Sequence, residues 1–187
     1  LTFDRRASLR RIRPQRPTLS LARRADADLP FAERQTLAGR ELLLDTTVYI
    51  DVLQGRTPIV VDRLLQTRIA NHSTVALAEL THLIGALDPA NSRTVRVLKP
   101  LGQTIDDIPA HRLTSPSAWA CGEAGMLAGL VTRMTGRPGT PSLLNDAMIY
   151  LHAMETGCDV LTGNVRDFDG FDQALPGAGL ILYRKSA

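Results

Sequence analysis

Several things are missing from this chain, and each absence narrows its function. No stretch approaches the ~18–20 consecutive apolar residues that a membrane-crossing helix requires, so no membrane role is expected. The N-terminal residues are rich in arginine and carry no apolar signal-peptide core, which predicts no export and a cytoplasmic protein. Cysteine is scarce: Cys121 and Cys158 lie far apart in apolar surroundings. Without export they are expected to be reduced and buried, not joined. There is no Gly-x-Gly-x-x-Gly after a strand and no P-loop, which argues against a nucleotide cofactor. His72, His111 and His152 show no metal-ligand spacing. The Glu79-x-x-His82 pattern of di-iron bundles occurs once, where that architecture needs it twice with two further Glu.

What is present begins with a charge split. The chain has 187 residues and a net charge of +3, enough length for one domain with a real core. Residues 1–40 hold ten arginines and four acids, and residues 41–187 hold twelve basic residues and fifteen acids. The basic character therefore belongs to the N-terminal region, and the rest is mildly acidic. Arg5-Arg6, Arg10-Arg11-Ile12-Arg13, Arg16 and Arg23-Arg24 are broken up by Pro14, Pro17 and Pro30, with little helical periodicity. This composition predicts a mostly disordered basic arm over residues 1–30, with one short helix within 31–40. Such an arm suits nucleic acid or an acidic partner, or is a solvated extension without a role.

Beyond residue 40, short apolar runs alternate with helical patterns. Leu42-Leu43-Leu44 reads as a parallel strand buried on both faces. Helices are predicted over 48–53, 59–69, 76–87 (stopped by Pro89), 91–101 (ended by Gly102), 119–134 and 141–156. Strands are predicted over 72–75, 112–114, 159–163 and 180–183. Thr46 or Thr47 is a cap for the first of these helices. Thr140 caps the last, with Pro141 at its first position and Gly157 just past its end. The alternation implies an α/β fold with a mostly parallel sheet.

Four acids carry the chemical argument. Asp45 comes where the first strand ends, the place where open α/β sheets bind ligands; the plainer reading is a helix cap. Glu79 lies within ~60° of Ala76 and Leu83 around its helix and so borders the apolar stripe; the plainer reading is a side chain that snorkels to water. Asp146 is more than a turn inside its helix, on the side of Leu143, Ile149, Tyr150 and Ala153. A charge there is costly unless it is paired or bound to metal, and no basic residue sits at helical spacing on that face. Asp167 follows a strand end, with Asn164 nearby; a solvated acidic loop is the bland alternative. Two like charges ~4 Å apart repel by ~4 kcal/mol at an effective dielectric of 20. Convergence of several would call for a cation, and oxygen-only ligation suits Mg²⁺ or Mn²⁺ over Zn²⁺.

These motifs, Leu-Leu-Leu-Asp45-Thr-Thr, Ala-Glu79-Leu, Asn-Asp146-Ala-Met-Ile and Thr162-Gly-Asn164-Val-Arg-Asp167-Phe168, occur in the order of the PIN-domain family. Residues 41–184 resemble the ribonucleases of the VapC type from toxin–antitoxin pairs, and the Gly-Arg-Pro loop before the Asp146 helix is similar to that group as well. The resemblance implies a three-layer α/β/α fold over 41–187, with a flexible arm over 1–40, and Mg²⁺- or Mn²⁺-dependent cleavage of RNA that leaves 5′-phosphate and 3′-hydroxyl ends. It implies Asp45, Glu79, Asp146 and Asp167 as catalytic and metal-binding residues, with Thr46, Thr162 and Asn164 supporting them. It also implies a cognate antitoxin protein and a homodimer. Asn164 stands where many members have Asp, which leaves a second metal open. The alternative is a PIN-like module that binds RNA or protein without cutting.

Overall fold

A computed structural model describes residues 2–15, 20–88 and 90–186. Its centre is a five-stranded sheet in the order β3-β2-β1-β4-β5, with every pairing parallel. The strands are β1 (Leu42–Leu44), β2 (Ala70–Ser73), β3 (Leu113–Thr114), β4 (Asp159–Thr162) and β5 (Gly179–Leu182). The helices are α1 (Arg5–Ile12), α2 (Thr46–Leu53), α3 (Ile59–Thr67), α4 (Thr74–Ala86), α5 (Ser92–Asp106), α6 (Ala118–Thr135), α7 (Pro141–Thr156) and α8 (Val165–Ala174). Helices flank the sheet, giving the three-layer α/β/α architecture expected. All three leucines of β1 are buried, as a central parallel strand requires.

Most boundaries follow local chemistry. Thr140 Oγ1 accepts from the Leu143 N–H at 3.1 Å, Pro141 takes the first helical position, and Gly157 closes α7 in the left-handed conformation at φ 74°. Ser117 caps α6 in the same way. Other boundaries move. β2 ends at Ser73, whose hydroxyl caps α4, so Val75 belongs to the helix and not to the strand. α5 continues through Pro100 and Gly102 to Asp106. The segment after Asn164, for which a solvated acidic loop is the bland alternative, is the helix α8, because Asn164 caps it and Phe168 and Phe171 give it a buried face. Pro89 lies outside the described residues.

The N-terminal region departs most from expectation. A mostly disordered arm is predicted; its described part is folded onto the domain. α1 is capped by Asp4, whose Oδ1 accepts from the N–H groups of Arg6 at 2.8 Å and Ala7 at 3.1 Å. Ile12 is buried at the other end. Arg11 lies 4.7 Å from the Trp119 ring centre and pairs with Glu123 at 3.0 Å. Further on, Leu29, Phe31 and Ala32 join the same core cluster as the sheet. Phe31 pairs with Leu182, so this segment covers the β5 edge that would otherwise be open. Trp119, Glu123 and Leu182 are each more than a hundred residues away from their partners in sequence, which is why local periodicity gives no sign of these contacts. The boundary at residue 40 marks where the sheet begins, not where the folded body begins. Arg16 and Pro17 lie outside the described residues.

Cys158 is buried and free, as expected; Cys121 is free but exposed on α6, against the expectation that both are buried. No helix among the described residues is long and apolar enough to cross a membrane.

Candidate active site

From β1 the chain moves outward through β2 to β3, and from β4 it moves the other way to β5. The carboxyl ends of β1 and β4 therefore flank the crevice where strand order reverses, the favoured ligand position in an open α/β sheet. Asp45 follows β1, and Thr162 to Asn164 end β4. α4 and α7 bring Glu79 and Asp146 to the same place. A cavity of about 660 Å³ opens there, lined by Asp45, Thr46, Glu79, Asp146, Asn164 and Lys185 among others.

Asp45 occupies the cap position of α2 but makes no side-chain cap bond. Its carboxylate is turned to the crevice instead. Oδ2 accepts from the hydroxyls of Thr47 and Thr162, both at 2.6 Å. Those hydroxyls are themselves fixed: Thr47 Oγ1 accepts from the Gly163 N–H at 3.0 Å, and Thr162 Oγ1 from the Asn164 N–H at 2.8 Å. Asp45 Oδ1 is buried with no hydrogen-bond partner. A buried carboxylate oxygen left in this state is costly unless something else satisfies it.

Glu79 is half-buried and held at both oxygens. Thr46 Oγ1 donates to Oε2, and Asn145 Nδ2 donates to Oε1 at 2.8 Å. Asp146 is 5% exposed on α7. Its partner is the Asn164 amide, which donates to Asp146 Oδ2 at 3.0 Å and to Asp167 Oδ2 at 3.1 Å. No lysine or arginine pairs with Asp45, Glu79 or Asp146 among the described residues.

The electrostatic consequence is direct. Burial, then the charges of Asp45, Glu79 and Asp167, push the Asp146 carboxyl up to about 9, against the pull of the Asn164 hydrogen bond. Asp45 is raised as well, first by burial and further by Glu79, although Thr162 and Thr47 oppose the shift. Glu79 thus stands close enough to Asp45 and Asp146 to disfavour the charge of both.

Among the described residues, no three acidic, histidine or cysteine side chains are drawn into a finished cage for an ion. The donor set nonetheless fits a hard cation. It is all oxygen, it carries unrelieved negative charge, and it includes the unpartnered Asp45 Oδ1. Mg²⁺ and Mn²⁺ suit such a set, since they keep several waters and take only one or two carboxylates directly. The cavity leaves space for those waters.

Asp167 is placed differently. It does not line the cavity, and it pairs with Arg137 of the loop before α7 while standing one hydrogen bond behind Asp146 through Asn164.

The fold is found in known proteins. A chain in the crystal structure of DNA-bound VapBC from Salmonella typhimurium is 23% identical; the match covers 77% of this chain and 98% of that one, with a TM-score of 0.52. For VapBC2 from Rickettsia felis bound to a promoter DNA fragment the values are 17%, 75%, 97% and 0.52. For FitAcB from Neisseria gonorrhoeae they are 21%, 75%, 96% and 0.53. The fold is PIN-like. No protein-family model and no curated protein matches the chain.

On this PIN-like fold, the residues singled out by sequence fall on two levels. Asp45, Glu79, Asp146, Thr46 and Asn164 line one cavity; Thr162 buttresses Asp45 from beneath; Asp167 stands behind with Arg137. Four further residues are not singled out as site residues by the sequence: Thr47, read there as a possible cap, Asn145 and Arg137, present only as members of the motifs, and Lys185. Thr47 and Asn145 are neutral, and their part is to orient a carboxylate, which no charge pattern reveals. Adjacency to Asp45 and to Asp146 is the only signal they give. Lys185 lies beyond β5 and reaches the cavity wall while pairing with buried Asp51 at 2.9 Å.

Proposed function

We propose that this chain is a metal-dependent ribonuclease of the VapC type, the toxin of a type II toxin–antitoxin pair, acting in the cytoplasm. The observation that carries the reading is the convergence of Asp45, Glu79 and Asp146 from three elements on one cavity, with a buried carboxylate oxygen unpartnered and, among the described residues, no lysine or arginine ion-paired to any of the three. The PIN-like fold, shared with chains of VapBC complexes, supports the reading and supports a protein antitoxin as partner. A homodimer and an RNA substrate belong to the same proposal.

In this reading Asp45, Glu79 and Asp146 hold Mg²⁺ or Mn²⁺. When bound, such a cation lowers the pKa of water and offsets charge on phosphoryl oxygens. The chain's own residues do the rest. Thr47 and Thr162 fix Asp45 Oδ2, so Oδ1 is presented to the cavity. Thr46 and Asn145 fix Glu79 at both oxygens. Asn164 steadies Asp146, and Asp167, tied to Arg137, steadies Asn164. Each acid is thereby held in one orientation, which is the requirement for in-line attack on a phosphodiester.

One observation favours a second reading, a PIN-like module that binds RNA or protein without cutting. The Asn164 amide and the Arg137 guanidinium already satisfy Asp167, so fewer carboxylates remain for ions. Incubation of purified protein with total RNA separates the two. The nuclease reading expects cleavage in Mn²⁺ or Mg²⁺ that excess EDTA abolishes; binding without cleavage in either metal overturns it.

A further inference from the structure

A second, smaller cavity lies against Arg137, the partner of Asp167. Its volume is about 190 Å³, and its wall includes Arg23, Arg137, Arg166, Asp169 and Gln173. α8 turns Arg166, Asp169, Gly170 and Gln173 to it, the spacing of a single helix face. Asp167, one residue on from Arg166, points instead to Arg137 and Asn164.

The other wall comes from the N-terminal segment, and its position is firmly set. The Leu21 N–H donates to Met134 O at 3.1 Å, at the end of α6. Gln173 Nε2 donates to Ala22 O at 3.1 Å. The Arg24 N–H donates to Asp169 Oδ2 at 3.0 Å, and its guanidinium spans Asp169 at 2.5 Å and Asp172 at 2.6 Å. Arg23 is carried between these anchors to the rim of the cavity.

The charges do not cancel. Asp169, the acid in the wall, is taken up by Arg24. Arg166 has no partner among the described residues. Arg23 pairs with Asp26, both exposed, and such a pair is worth little. Arg137 gives one Nη2 to Asp167 and keeps further donors. What remains is a small cavity of mixed lining with surplus guanidinium groups at its wall, below the ~300–1,000 Å³ of pockets that hold whole small molecules. Guanidinium forks match phosphate oxygens in shape and charge. Arg137 joins the two cavities, since its Asp167 contact leads through Asn164 to Asp146.

We infer that this cavity seats a backbone phosphate of single-stranded RNA, flanking the phosphodiester held at the acidic cavity, and that the folded N-terminal segment is there in part to complete it. The inference rests on the ribonuclease reading for its substrate but not for its test. Binding of a labelled single-stranded RNA to the full chain in EDTA would be followed by fluorescence anisotropy over a salt series. The variants are Arg23→Glu/Arg166→Glu, the milder Arg23→Gln/Arg166→Gln, and Arg63→Glu on α3 as a control for net charge. Each phosphate neutralised contributes about 0.7 to the salt slope of a single strand, so losing the one seated here should flatten it by about 0.7 and weaken binding about tenfold at low salt. The Gln pair should flatten the slope with melting temperature unchanged, and Arg63→Glu should leave the slope as it is. A double variant that binds like the parent overturns the inference, as does Arg63→Glu acting as strongly. Loss of affinity for inorganic phosphate without loss for RNA assigns the cavity to a free anion and also overturns it. Cleavage by the parent in Mn²⁺ is scored separately: failure there sinks the nuclease reading, and a flattened slope still supports the phosphate seat.

Discussion

Five acids are buried among the described residues, Asp45, Asp51, Glu123, Asp146 and Asp169, and they divide by region. Under the N-terminal segment, Glu123 has Arg11 at 3.0 Å and Asp169 has Arg24 at 2.5 Å. Asp51 has Lys185 and the Tyr183 hydroxyl, each at 2.9 Å. At the end of β1 and on α7, Asp45 and Asp146 are just as deep, yet they have only hydroxyls, an amide and one another. Depth alone therefore does not mark a functional carboxylate. The lesson is in the partner: the chain delivers cations from sequence-distant segments where an acid is structural, and it withholds them where an acid faces the crevice.

The largest expected effect tests the structural half of this contrast. Removing residues 1–34 strips Ile12, Leu29, Phe31 and Ala32 from the core and leaves Glu123 and Asp169 without arginine. Cutting a buried Leu or Phe to Ala typically costs about 2–5 kcal/mol, against a total stability of about 5–15 kcal/mol. The truncated protein should lose its cooperative thermal transition by circular dichroism. A sharp transition near that of the full chain would show the segment to be dispensable.

Next in size is Arg24→Ala. It leaves Asp169 buried and unpaired, which costs about 3–5 kcal/mol for a fully buried pair. Arg24 is 29% exposed, so the lower end applies. Chemical denaturation should show this loss equally in EDTA and in Mn²⁺, because the pair is remote from the acidic cavity. A loss that Mn²⁺ repairs would merge the two classes of carboxylate.

A further effect comes from pH and is read as a difference in slope. The Asp146 carboxyl stands at about 9 in the folded protein and near 3.9 when unfolded. Between those values the native state holds a proton that the unfolded state releases. Stability from this group is full below about pH 4 and is lost as pH rises toward about 9. The metal-free parent should thus fall in melting temperature across this window more steeply than Asp146→Asn. Mn²⁺ should flatten the parent's profile by favouring the charged carboxylates. Parallel slopes for parent and variant in EDTA would remove the electrostatic reading of the cavity.

Much of this was legible in the sequence, and the residues show why. Leu42 to Leu44 announce a strand by composition, and Thr140, Pro141 and Gly157 bracket α7 by cap chemistry that acts within a few residues. Asp146 stands out because an acid on an apolar helix face has no bland explanation without a cation. α1 was hidden because four arginines dominate its eight residues and its stability comes from Trp119 and Glu123, far along the chain. α8 was hidden because three aspartates mask Phe168 and Phe171. Thr47 and Asn145 were hidden because orienting a neighbour leaves no mark on charge or periodicity. The sequence places Asp167 with the metal-binding acids through a motif of its own; only the fold separates it from the cavity and gives it Arg137.

The central claim, that Asp45, Glu79 and Asp146 form a site waiting for a cation, is tested most directly by the melting of Asp146→Asn. Asn keeps nearly the same shape and removes one of the mutually repelling charges. In EDTA the variant should be at least as stable as the parent, because the parent must take up a proton at Asp146 or bear the repulsion there and the variant does neither. On addition of Mn²⁺ the parent should gain melting temperature and the variant should lose most of that gain, since stabilisation by a ligand follows its affinity. A clearly destabilised variant in EDTA, with a Mn²⁺ response equal to the parent's, would place Asp146 with Asp169 among the structural acids and contradict the account.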